Sequence, residues 1–160
     1  MASVGAIAAL VAAGCAVAAS ATGPPVLPAG QIETVEIAAF DWGAGKEVPL
    51  VTSTDTAAVE ALAAVIQLGT PSSGHKCHDT GKLRFHLRDG STVSLGIPQG
   101  HQLGFVEYKL DVGETSEWFH VDETAFAAAV ERFGVSAPQL LTLRRSRCNV
   151  LTENRLMPDL

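Results

Sequence analysis

His75-Lys76-Cys77-His78 places two imidazoles and a thiol within four residues, and His101 follows one hairpin later. Imidazole nitrogen and thiolate sulfur are ligands that zinc and copper accept, so His75, Cys77, His78 and His101 form a candidate metal set. The spacing His-x-Cys-His lacks the paired ligands of the familiar zinc modules. The same thiol has two other chemistries open to it. With Cys148 it makes a disulfide that closes a long loop, contributing ~2–4 kcal/mol where geometry allows. With His78 or His101 as base, and Asp79 to orient that base, Cys77 becomes a nucleophile. An oxidising compartment keeps few such thiols reduced. All three chemistries compete for one atom, the sulfur of Cys77.

Elsewhere the chain offers little catalytic material. Glu114, Glu117, Asp122 and Glu123 are accounted for by turns and a helix start, so no carboxylate pair is singled out for acid–base work. The composition, 17 acidic against 11 basic side chains and a formal net charge of -6, has the wrong sign for a general phosphate-backbone binder. Arg144, Arg145, Arg147 and Arg155 gather near the C-terminus and read as a solvated strip. Trp42, Trp118 and Tyr108 are large enough to line a pocket, although side chains of this kind ordinarily fill a core. The expectation is a binding or structural module rather than an enzyme, with no nucleic-acid partner and no resident cofactor unless it is zinc or copper.

Alternating and helical periods define the elements that must position these groups. Glu33 to Ala39 alternates as a half-buried strand, Asp41 to Gly45 turns, and Glu47 to Thr52 returns as a strand that Pro49 confines to a sheet edge. Ala58, Val59, Leu62, Val65 and Ile66 then recur at helical steps behind a cap at Thr54 or Asp55. Thr70 to Gly74 reads as a break in the chain.

The hairpin that follows carries an argument about register. A two-residue loop at Asp89-Gly90 would set Leu83, Phe85 and Leu87 on the face opposite Val93, Leu95 and Ile97. A three-residue loop, Arg88-Asp89-Gly90, with Gly90 left-handed, pairs Phe85 with Val93 and gathers the apolar set on one face. The second alternative is expected. Beyond the Pro98 to His101 loop, Val106, Tyr108 and Leu110 alternate as a strand, and Asp111 to Thr115 turns. Glu117 to Val121 returns, with Trp118 and His120 on the polar side. Asp122 caps a second helix bearing Phe126, Val130 and Phe133 ahead of Gly134, and Leu140 to Leu143 reads as a last short strand. The fold class is α+β: a mainly antiparallel sheet of about five to seven strands, in the order β-β-α-β-β-β-β-α, with two helices packed on it.

The N-terminal portion has a different character. No charged residue occurs from Ala2 to Gln31, and Val4 to Ala21 is mostly Ala and Val, the make-up of an export signal over residues 1–21. Val11-Ala12-Ala13-Gly14-Cys15, small residues leading to a cysteine, resembles a bacterial lipoprotein signal and makes Cys15 a lipidation candidate. Ala12 stands where such signals usually carry Leu, and Ala19-Ser20-Ala21 offers an ordinary signal-peptidase site instead. A Pro- and Gly-rich tether is expected over 22–31, one domain over 32–150 and a tail over 151–160. The functional expectation is an exported module at the bacterial cell envelope, lipid-anchored or soluble, that touches membrane only through that anchor. Its protein or envelope ligand would meet the sheet edge or the loops at 75–78 and 98–101. The alternative is a metal-binding exported protein.

Overall fold

The computed structural model describes residues 23–74, 77–100, 103–112 and 115–140. Seven strands run in chain order: β1 (Ile32–Asp41), β2 (Lys46–Ser53), β3 (Thr70–Pro71), β4 (Asp79–Leu87), β5 (Thr92–Pro98), β6 (Phe105–Val112) and β7 (Thr115–Asp122). Helix α1 (Thr56–Gln67) lies between β2 and β3, and α2 (Glu123–Glu131) and α3 (Ala137–Leu140) follow β7. All strand pairs are antiparallel, in one sheet of order β2-β1-β4-β5-β6-β7-β3. The α+β class is therefore as expected, and β4 to β7 form an antiparallel meander. Pro49 sits on β2, at an edge, where its missing donor costs no ladder bond.

The hairpin adopts the three-residue loop. Phe85 faces Val93 and Leu83 faces Leu95, while Leu87 N–H donates to the Ser91 carbonyl at 2.9 Å. Gly90 has φ +82°, the left-handed conformation the loop requires. Asp89 closes the turn by accepting from Ser91 N–H at 2.9 Å and from the Ser91 hydroxyl at 2.6 Å. That hydroxyl bond, with the backbone one, holds the Asp89 carboxyl below the usual carboxylate range.

Both longer helices cover one face of the sheet. Asp55 caps α1 by accepting from Ala57 and Ala58 N–H, and Asp122 caps α2 by accepting from Ala125 N–H. Val59, Leu62 and Ile66 of α1 and Phe126 and Val130 of α2 close over Val35, Ile37, Leu83, Phe85, Leu95, Ile97, Tyr108 and Phe119. Tyr108 donates its hydroxyl to the Ile66 carbonyl at 2.8 Å, joining β6 to the end of α1. Gly69 is required there, because a Cβ would run into the Tyr108 phenol. Burial pushes the Tyr108 phenol well above its ordinary ionisation range.

Three expectations need correction. Thr70 to Gly74 is not simply a break: Thr70 and Pro71 pair with His120 and Phe119 as a two-residue edge strand, too short for any alternation to reveal. Leu140 ends a helix instead of opening a strand, buried where Gly81 leaves room for it; residues 141–143 lie outside the described residues. The stretch at 23–31 does not stand clear of the body. Leu27 is 1% exposed and belongs to the core, and the Gln31 carbonyl accepts from Arg88 N–H at 2.8 Å. An isolated apolar side chain in a Pro-rich segment has no period by which to announce its burial. Cys15 and the signal segment also lie outside the described residues. Among the described residues no helix is long and apolar enough to cross a membrane.

Replacing Gly90 by Val leaves nothing to clash with, since no atom lies within 4 Å of a Cβ there. The cost is therefore backbone strain alone, ~1–2 kcal/mol for an ordinary residue in this conformation and more for a β-branched one. We expect Gly90→Val to lower the urea midpoint by the equivalent of about 2 kcal/mol, and Gly90→Asn to lose far less. Equal midpoints for wild type and Gly90→Val would contradict the register.

Candidate functional site

With the apolar residues turned toward the helices, the opposite face receives the polar ones, and no described helix packs there. One row of paired residues crosses it: Ala38 faces Lys82, Lys82 faces Gly96, Gly96 faces Lys109 and Lys109 faces Trp118. Gly96 makes a dip between the two lysines, and Asp79 lies in that dip. A Cβ on Gly96 would stand 2.6 Å from Asp79 Oδ2 and 2.7 Å from Lys109 Cε. The β-bulge between Asp79 and Gly81 turns Asp79 to this face. Its Oδ1 is 3.2 Å from Lys109 Nζ, an ion-pair separation without the direction of a hydrogen bond.

Charges on this face are matched in kind. Lys82 Nζ lies 2.9 Å from Glu47 Oε1, and Arg84 bridges Glu47 and Glu36, the latter at 2.6 Å. His86 meets the Thr92 hydroxyl at 3.0 Å on the polar side, as its place in the alternation requires. The hydrogen bond from Arg84, followed by that from Lys82, holds the Glu47 carboxyl below the usual range.

At the end where β1 finishes and β4 begins is an open cleft of about 340 Å³. Its walls include Phe40, Trp42, Glu47, Cys77, His78 and Asp79, with Lys82 and Lys109 reaching in. Trp42 occupies the β1–β2 turn and is 54% exposed, an unusual position for an indole. It meets two other rings, Phe40 at 4.5 Å between centroids in a tilted contact and His78 at 5.0 Å edge to face. The turn beneath it is built by Asp41, whose Oδ1 accepts from Gly43 and Ala44 N–H, and by Gly45 at φ +64°.

The segment carrying Cys77 and His78 reaches the cleft from the far side of the sheet. After β3, Ser72 donates its hydroxyl to Glu107 at 3.1 Å, and Gly74 lies so close to Trp118 that a Cβ would stand 2.5 Å from the indole nitrogen. On the other side of the sheet's midline, the His78 carbonyl accepts from Gln99 N–H at 3.1 Å. This cover explains why Glu107, although on the polar face of β6, is only 5% exposed. His120 is beside it, its Nε2 2.8 Å from the Thr70 hydroxyl.

The structure thus brings Cys77 and His78 to one cleft, and adds Trp42 from the candidate aromatics. Tyr108 is buried in the core and Trp118 packs on the connection, so the three aromatics do not share a pocket. Asp79 is engaged over Gly96 with Lys109 and holds that charge in place. His75, His101 and Cys148 lie outside the described residues, as does any pairing of Cys77 with Cys148. Among the described residues no group of three or more His, Cys, Asp or Glu side chains is arranged to hold a metal ion. Sequence reasoning did not single out Glu47, Lys82, Gly96 or Lys109 as site residues. A glycine inside an alternating strand is a recognised sign of close approach, and Gly96 carried that signal.

The salt links on this face make a pH prediction. Because the folded-state pKa of Glu47 is depressed, its contribution is complete above the unfolded value of about 4.3 and is lost as pH falls through the folded value. Glu47→Gln should cost under about 1 kcal/mol at neutral pH, as befits partly exposed pairs, and should flatten the acid limb of stability against pH. Urea midpoints measured down that limb check this. An acid limb unchanged by the substitution would contradict the pairing. Comparison with protein-family models, with curated proteins and with solved structures returns no match to this chain.

Proposed function

We propose that this chain is an exported, envelope-tethered binding module that holds a small ligand in the cleft between the Trp42 turn and the Cys77–Asp79 segment. The observation that carries the reading is the exposed Trp42 indole at the mouth of a cleft whose remaining walls converge a thiol, an imidazole, carboxylates and ammonium groups. Large aromatics left half in water at a concave site are contact surface for a partner. A volume of about 340 Å³ suits a small molecule or one unit of a larger one.

Export and tethering rest on the uncharged Ala- and Val-rich run to Ala21 and on Cys15 behind small residues. In an oxidising compartment the Cys77 thiol of the cleft wall would be taken up in a disulfide with Cys148.

A thermal-shift screen of small metabolites tests the binding reading. Compounds that raise Tm should lose their effect in Trp42→Ala and in His78→Ala, and should keep it in Glu131→Ala, on the far side of the helix layer. No stabilising compound at all, or stabilisation that survives both cleft substitutions, would overturn it.

A further inference from the structure

We infer that the cleft takes a neutral, hydroxyl-rich ring, a saccharide unit, rather than an anion or a cation. The inference rests on the cleft being a binding site and names its ligand class. Charge on the cleft walls decides between classes. Each ammonium group there already has a carboxylate: Lys82 has Glu47 at 2.9 Å and Lys109 has Asp79 at 3.2 Å. An anion would have to displace Glu47 or Asp79 from its lysine, and a cation would have to displace the lysine. A neutral ring displaces neither.

Paired Lys and Asp or Glu groups present donors and acceptors side by side, and a hydroxyl both donates and accepts. Glu47, Asp79, Lys82 and Lys109 all line the cleft, so both kinds of group are present on its walls. Hydrogen bonds from hydroxyls to such charged groups are the stronger kind. Trp42 supplies the second requirement. A sugar ring has one face of C–H groups that needs an apolar plane, and the half-exposed indole, in contact with the Phe40 and His78 rings, offers one.

Titration of the protein with glucose, galactose, mannose, N-acetylglucosamine and their disaccharides, followed by the indole N–H signals in NMR, tests the class. Trp42→Phe assigns which of the two tryptophans responds. At least one sugar should shift the Trp42 signal in a saturable way, with an affinity insensitive to added salt. Asp79→Asn should weaken that affinity about tenfold or more while Tm stays near wild type. Trp42→Ala, at an exposed position, should abolish binding and leave the protein folded.

Inorganic phosphate, citrate, spermidine and phenylalanine serve as the contrasting probes. If every sugar is silent and one of these shifts Trp42, the ligand class is wrong and the cleft reading stands. Silence of all probes at Trp42 would overturn the saccharide inference, and metabolite binding insensitive to the cleft substitutions would overturn the cleft reading as well. Sugar binding that shifts only Trp118 would also overturn the assignment.

Discussion

The register between β4 and β5 is the constraint from which the other features follow. A left-handed Gly90 gives the loop its third residue, and Leu83, Phe85, Leu95 and Ile97 then share a face. Because side chains alternate strictly along a strand, a slip of one residue would exchange every apolar side chain for a polar one. Burial of that apolar face under α1 and α2 opposes any slip. The same restriction delivers Lys82 and Arg84 to the other face, opposite Gly96 and Ser94, without any need for selection at each position.

On that polar face, the arrangement is built from absences as much as from contacts. Gly96 has no side chain, so the Asp79 carboxylate can lie flat across β5 and reach Lys109. Neighbouring Glu47 holds Lys82 and Arg84, which leaves a concave surface rich in charge and nearly balanced in sign. Individual pairs of this exposure contribute little to stability, so their value lies in fixing where donors and acceptors stand. Trp42 then presents a large, half-exposed apolar surface in a polar setting, placed on a tight Asp41 turn and in contact with its neighbours.

Much of the fold could be read from period and turn chemistry alone. The Asp55 and Asp122 caps, the Pro49 edge and the three-residue hairpin loop are local rules, and local rules are visible in one sequence. What escaped was set by distant partners. Thr70 and Pro71 are strand only because β7 offers them an edge, and Leu27 is core only because the body has room for it. For the candidate site, the residue types at Cys77 and His78 draw attention to the end of the sheet where the cleft lies. Lys109 and Glu47 could not be added, because their meeting with Asp79 and Lys82 depends on strand order and on a bulge that period-two patterns do not encode.

A map of backbone amide shifts on addition of a saturating small ligand tests most directly whether the sheet face away from α1 and α2 is the binding face. The account predicts perturbations gathered at residues 39–47, 77–82, 96 and 109, with the outer surfaces of α1 and α2 unmoved. Perturbations centred on those helices, with the Trp42 turn silent, would contradict it.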